Sequence, residues 1–280
     1  MALISNTYGK GRVRVMRIKK DGPMQEVREL TVKAMLTGDF GAAFTNHDNS
    51  KAVSTDTVKN VINIVAHENL GLDSEEFGKA VVARFLDHYP QVEQVDVELH
   101  EVKWTRMSVG GKPHAHSFVL DNNGQPFARV TATRAETKVV SGITNFTFMK
   151  STDSGWDHYY KDEYTTIAET RRDRMCATAM AASWRWSRAP NDYTEANAKI
   201  LSTMLEVFAT SYSESVQDSL YRMGTAALAA VPEVIDISLA CPNKHYLLIN
   251  LQPFGLTNEN AVFLPTDEPH GQIECVIGRG

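Results

Sequence analysis

Cysteine is scarce: Cys176, Cys241 and Cys275 are the only three in 280 residues. They are odd in number, widely spaced and follow no zinc-ligand pattern. Neither a disulfide framework nor a zinc module is expected, and a reduced compartment is. Each reads as a small buried hydrophobe rather than a reactive thiol. Long apolar runs are missing as well. Nothing approaches the roughly 18 uninterrupted residues of a membrane-spanning helix, so no membrane partner is expected. The first residues lack the pattern of a signal peptide, and Ile277-Gly278-Arg279-Gly280 is not a peroxisomal tripeptide; a cytoplasmic location is the expectation. Excess positive charge is also absent. With 29 Lys and Arg against 34 Asp and Glu, the formal net charge is -5. The densest basic cluster, Arg171 to Arg174, is broken by Asp173. No nucleic-acid partner is expected, because phosphate neutralisation supplies much of that affinity. There is no HExxH, no phosphate-gripping glycine loop and no Rossmann fingerprint. His114 and His116 are two neighbouring ligand types without a third, which is poor support for a metal. No metal and no cofactor are expected.

What is present is ordinary globular material, 42% hydrophobic and 22% charged, at a length that suits one large domain or two ordinary ones. Alternation predicts a hairpin of Val13 to Lys19 and Glu26 to Leu36 around Asp21-Gly22-Pro23. Val58, Val61, Ile62 and Val65 then share a helix face, with Thr55-Asp56 where a cap is expected. A second helix is predicted to start near Ser74, capped by its hydroxyl, and carries Phe77, Val81, Phe85 and Tyr89 before Pro90 stops it. Strands follow at Val95 to Met107, Ala115 to Leu120 and Phe127 to Ala135, the last open to continuing as Lys138 to Thr147.

The second half repeats this grammar. Strands near Ile143 to Lys150 and Cys176 to Trp186 lead to helices at Thr194 to Ala209 and Glu214 to Ala230. Strands at Val234 to Leu239 and His245 to Leu251 follow. Tyr89-Pro90-Gln91-Val92 and Val231-Pro232-Glu233-Val234 both read as helix, proline stop, strand. The pattern suggests a duplicated α+β unit, an antiparallel sheet with a helix pair on one face, divided as residues 1-137 and 138-280. Val95 to Leu99 with Trp104 reads as apolar on both sides, so the uncovered sheet face is expected to need oligomerisation or barrel closure.

On residue type alone, Thr55-Asp56 is explained by capping, Lys10 between two glycines by a solvated lysine, and His245 by a structural histidine. At these same residues, however, the chain resembles the urate oxidase (uricase) family. The matching blocks are Tyr8-Gly9-Lys10, Val53-Ser54-Thr55-Asp56-Thr57-Val58-Lys59-Asn60, Trp104-Thr105-Arg106-Met107 and Gly111-Lys112-Pro113-His114-Ala115-His116-Ser117-Phe118. Asp162-Glu163-Tyr164-Thr165-Thr166, Ser215-Val216-Gln217 and Pro242-Asn243-Lys244-His245-Tyr246 complete the ordered set.

The resemblance implies tandem tunnelling-fold (T-fold) units, four chains closing into barrels, and active sites at the subunit interfaces of a homotetramer. It implies oxidation of urate by dioxygen, a co-substrate, without a cofactor, to 5-hydroxyisourate and hydrogen peroxide in purine breakdown. By the same resemblance Lys10, Thr55 and His245 form a proton relay, with Lys10 and the Thr55-Asp56 pair coming from opposite subunits. Arg174 grips one edge of urate through its planar fork. Gln217 and the backbone N-H of Val216 hold the opposite edge at a helix start, where donors are unpaired. Asn243 holds dioxygen and then water, and Asp56 lines the pocket. The family pattern is one residue shorter before the arginine, and Arg174 is chosen over Arg171 and Arg172 because Asp173-Arg174 keeps the local pair. Where the family usually places a stacking phenylalanine, the count back from Asp162 gives Trp156; Tyr159 or Tyr160 is the alternative ring. Two other functions compete with this one. Related T-fold hydrolases and reductases would need a cysteine-histidine metal cluster, and a silent purine-binding protein would have no use for Lys10, Thr55 and His245.

Overall fold

A computed structural model describes residues 1–166 and 173–279; Arg171 and Arg172 lie outside the described residues. The chain forms two compact units, Met1–Gly142 and Ile143–Gly280.

The first unit opens with β1 (Tyr8–Lys19) and β2 (Glu26–Gly38), followed by a short α1 (Gly41–Thr45) and the helix pair α2 (Thr55–Glu68) and α3 (Ser74–His88). Then come β3 (Val92–Val109), β4 (Lys112–Asp121) and β5 (Gln125–Thr133). The strands run antiparallel in the order β1-β2-β3-β5, with β4 on the far end of β3. One sheet face packs on the helices: Leu30, Val32, Val95, Val97 and Leu99 are fully buried there with Ile62, Phe77 and Phe85. Fully burying an aliphatic or aromatic side chain of this kind contributes roughly 1.5–3 kcal/mol.

The opposite face corrects one expectation. Val95, Val97 and Leu99 all point toward the helices, while Asp96, Glu98 and His100 alternate onto the other side. That side is polar: Thr131 Oγ1 donates to Asp96 Oδ1 at 2.6 Å, and His100 Nε2 lies 2.7 Å from Glu98 Oε1. Trp104 belongs to it, donating its indole N-H to Glu29 Oε2 at 3.0 Å. A strand period of two separates valines from carboxylates, so this is a half-wet strand and not an apolar one.

In the second unit, β7 (Cys176–Trp186), α4 (Tyr193–Thr210), α5 (Val216–Ala230), β8 (Val234–Leu248) and β9 (Phe263–Gly278) repeat the plan, with β7-β8-β9 antiparallel. The strand β6 (Thr137–Lys150) crosses the division between the units and neighbours β7. Here β6 is a strand of its own and not a continuation of β5, because Arg134–Glu136 intervene, with Thr133 N donating to Glu136 O at 2.9 Å. The two predicted strands at 234–239 and 245–251 are one, β8. The strand β9 was not predicted, because Pro265, Pro269 and Gly271 hide its alternation.

Caps differ from expectation by one residue. Ser54, not Thr55 or Asp56, caps α2 by accepting from Thr57 N at 3.0 Å. Asp73, not Ser74, caps α3 by accepting from Glu76 N at 2.8 Å, and Ser74 Oγ instead donates to Glu101 at 3.2 Å. Side chains of either type can fill that position, so neighbouring candidates cannot be ranked from composition.

The two units share a detail beyond element order. Arg134 donates to the carbonyls of Leu86, Tyr89 and Val92 at 2.8, 3.1 and 2.6 Å. Arg279 donates to those of Leu228, Val231 and Val234, the latter two at 3.1 and 2.8 Å. Each arginine closes the C-terminus of its unit's second long helix, satisfying carbonyls the helix cannot satisfy itself.

Candidate active site

In the first unit Lys10, half-buried on β1, pairs with Ala34 at the edge of a register shift that runs to Val13. Such an irregularity bends a strand and re-aims its side chains. Gly9 is obligatory beside it: a Cβ there would lie 1.9 Å from the Ala34 carbonyl oxygen. Thr55 and Asp56 are the first two residues of α2 and both are exposed. With Ser54 taking the N-H of Thr57, the N-H groups of Thr55 and Asp56 have no partner within the helix. Asp56 accepts from Lys59 Nζ at 2.5 Å and Asn60 Nδ2 at 3.0 Å. The Lys59 contact, with lesser help from Asn60 and the charge of Lys10, holds its carboxyl below the usual range.

The second unit holds a cavity of about 640 Å³. Trp156, Arg174, Val216, Gln217, Asn243 and His245 all line it, although they come from four separate stretches of chain. Val216 and Gln217 begin α5, whose cap Ser215 accepts from Asp218 N at 3.1 Å, leaving the N-H groups of Val216 and Gln217 open. The positive helix end therefore faces the cavity. Arg222 neutralises Asp218, the acidic residue of that first turn. Asn243 sits opposite Thr178 on β7 and Gly271 on β9, and a register shift separates it from His245. Lys244 also lines the cavity and is paired with Asp267 at 3.1 Å. Trp156 is half-buried and stacks on Tyr159 with ring centroids 5.9 Å apart and planes 8° from parallel. Tyr160 is 87% exposed.

Several neighbours of this cavity were not singled out from sequence. Ser154, Ser213 and Cys176 line it. Cys176 lies next to the cavity with its thiol pushed up by burial. Buried serines carry no pattern a linear reading could find. Among the described residues no group of three or more His, Cys, Asp or Glu is placed to hold a metal ion; the His114 and His116 rings meet edge to face at 4.7 Å. No helix among the described residues is long and apolar enough to cross a membrane. A second concavity, of about 610 Å³, lies on the first unit beside Lys79, Leu86 and Arg134. Its arginine is committed to the α3 carbonyls, and it gathers none of the residues above.

Paired sheet-and-helix units, with a helix start, an arginine, an amide and an indole around one cavity, define a tandem tunnelling-fold protein suited to a flat anionic ligand. The family model described as Uricase matches residues 6–131 and 139–274. A uricase of Dictyostelium discoideum is 36% identical, covering 99% of this chain and 97% of its own length. One of Aspergillus flavus is 36% identical over 97% of this chain and 95% of its own length. The crystal structure of uricase from Arthrobacter globiformis, 34% identical, superposes with a TM-score of 0.93 over 100% of this chain and 95% of that one. A uricase structure from Bacillus fastidious, 24% identical, shares the fold at a TM-score of 0.83. The chain belongs to the uricase family, and it is an oxidoreductase.

Proposed function

We propose that the protein is a urate oxidase that converts urate, dioxygen and water to 5-hydroxyisourate and hydrogen peroxide without a cofactor, as a homotetramer of tandem T-fold chains. The observation that carries this reading is the second unit's cavity, where the cation Arg174 and the open N-H groups of Val216 and Gln217 line one space. A guanidinium can donate two parallel bonds to a carbonyl and adjacent ring nitrogen, and Gln217 can hold the opposite edge with its amide. Trp156 supplies a flat apolar surface backed by Tyr159, suited to stacking on the purine.

Lys10, Thr55 and Asp56 belong to the first unit, and every residue lining this cavity belongs to the second. In our reading the cavity is completed across a subunit interface, Lys10 and the Thr55-Asp56 pair coming from opposite subunits. Support for assembly comes from β1 and β9, which end the strand order, and from Val276 and Leu264 on β9, 68% and 54% exposed. Unpaired edges and exposed apolar residues of this kind call for a partner.

Urate is electron-rich and readily loses a proton, whereas its direct reaction with triplet dioxygen is spin-forbidden. The protein's task is then orientation, proton transfer and charge stabilisation. Lys10 takes a proton through the Thr55 hydroxyl. The urate anion passes one electron to dioxygen held by Asn243, and the two radicals recombine. Peroxide then leaves with a proton delivered through His245, and water adds at the carbon it leaves.

Loss of urate absorbance with matching peroxide release, measured alongside particle mass, tests both claims. Equal turnover from a monomer would sink the shared site, and absence of turnover would sink the reaction. Trp156→Phe should keep substantial activity, whereas Trp156→Ala should lose roughly 1–3 kcal/mol of ring binding, by analogy with stacked bases.

A further inference from the structure

The two clamps of the cavity, Arg174 and the start of α5, are joined by buried serine hydroxyls and the backbone bridge between them. Ser154 is 4% exposed, and its Oγ donates to the Arg174 carbonyl at 2.6 Å while Arg174 N donates to the Ser154 carbonyl at 2.9 Å. On its other side this segment is bridged to Ser213: Gly155 N donates to Ser213 O at 2.9 Å and Ser213 N to Asp153 O at 3.1 Å. Ser213 is 2% exposed, and its hydroxyl shares a 2.8 Å bond with that of Ser219, 5% exposed. Ser219 Oγ also lies 3.0 Å from the carbonyl of Ser215, the residue that caps α5. The Ser219 hydroxyl is the donor in both contacts, its one proton shared between Ser213 Oγ and the Ser215 carbonyl.

We propose that Ser154, Ser213 and Ser219 are positioning residues that set the span between the Arg174 guanidinium and the N-H groups of Val216 and Gln217. The idea rests on the reading of this cavity as the urate site. A rigid planar ligand gripped on opposite edges has one workable span, and displacement of a positioning contact by about 1 Å can cost on the order of 100-fold. The bonding choices fit that role. Ser154 bonds the backbone of Arg174 itself, two residues before Trp156, and Ser219 bonds the cap of the helix whose first two residues are Val216 and Gln217. Buried hydroxyls must find partners somewhere, so a fastening that only stabilises the loop is the alternative to be separated.

Ser154→Ala and Ser219→Ala test the proposal, with Ser141→Ala as control. Ser141 is 1% exposed and bonded to Glu75 in the first unit, so it loses a comparable buried bond away from the cavity. Ser219→Ala also guards against a misfolded Ser154→Ala, since alanine favours a helix interior. Steady-state urate kinetics, equilibrium binding of xanthine as a purine analogue, and Tm would be measured on the intact oligomer. The expected result is that Ser154→Ala and Ser219→Ala each raise KM and the xanthine Kd about tenfold with a smaller change in kcat, and that the double variant falls short of the product because the groups act in one chain. Ser141→Ala should lower Tm alone. Unchanged KM and Kd in both cavity variants, with only Tm reduced, would overturn the proposal while leaving an active wild type. A wild type that binds xanthine but does not oxidise urate would overturn the proposed function and not the positioning role. A wild type that does neither overturns both.

Discussion

Counting back from the carbonyls that Arg134 and Arg279 close, Glu75 of α3 occupies the place that Gln217 has in α5, and Asp73 that of Ser215. The two helix starts have opposite fates. In the second unit the start opens onto a cavity, and its first residues are half-buried or exposed. In the first unit Ser74 and Glu75 are 6% and 3% exposed, and the Ser141 hydroxyl donates to the Glu75 carboxylate. Arg17 packs nearby, 1% exposed, with its guanidinium 4.3 Å over the Phe77 ring and Nη1 donating to Asn69 O at 2.7 Å. Burial, with the repulsion of Arg28, lowers its pKa to about 10. The same scaffold thus fills with its own charges in one unit and leaves a cavity at the helix start in the other. A buried Glu75 stands in the first unit where the second has the uncharged Gln217.

The comparison is most exposed to a pair of arginine variants. Arg174→Ala should weaken purine-analogue binding by about 2–5 kcal/mol, as expected when one partner of a desolvated charged contact is removed. Arg17→Met should leave that affinity within roughly twofold and shift only Tm, because Arg17 belongs to the first unit and lines no part of the cavity. Titration calorimetry on both would break the contrast if Arg17 proved to control binding. An unaffected Arg174 variant together with a failing Arg172 variant would move the clamp two residues earlier.

A second pair asks how alike the units are. Arg134→Met and Arg279→Met each remove a guanidinium from three backbone carbonyls at a helix-to-strand junction. Each should cost about 1.5–3 kcal/mol, the range for hydrogen bonds to charged groups, with the solvent able to rescue part of it. Urea denaturation of the two variants should give losses of similar size. A large loss in one and none in the other would make the likeness of the units superficial.

The smallest effect concerns Cys241 on β8, which is 1% exposed and whose thiol burial pushes up to about 12. The folded state keeps this group protonated where the unfolded chain, with a thiol pKa of about 8.5, has lost the proton. Its contribution is fully present below about 8.5 and is lost as pH rises toward about 12. Cys241→Ala should flatten the alkaline side of the stability profile relative to wild type. An identical alkaline slope in the two proteins would rule out that origin.

Much of the framework was legible in advance. The buried stripes of α2 and α3 lie where the spacing of valines and phenylalanines puts them, because helix periodicity survives any tertiary context that buries one face. The span of β7, Cys176–Trp186, was read without error. Caps slipped by a residue because Ser54, Thr55 and Asp56 are all competent acceptors, and so are Asp73 and Ser74. The strand β9 stayed hidden behind its prolines and charges, since an edge strand tolerates both and shows weak alternation.

For the candidate site, the residue types and their order were present in the linear chain, recognisable through resemblance as blocks around Lys10, Thr55, Gln217 and His245. That six of those residues line one cavity was decided by tertiary structure. It follows from antiparallel pairing that sets Asn243 against Thr178 and Gly271, and from the serine hydroxyls and backbone bridge that fasten Trp156's segment between Arg174 and α5. Local sequence dictates which residues can start a helix or alternate along a strand, because those preferences act over a few bonds. Which helix start opens onto a cavity and which is filled from within, with Arg17 packed nearby, depends on side chains far apart in sequence, whose charges count only after folding has removed the water between them.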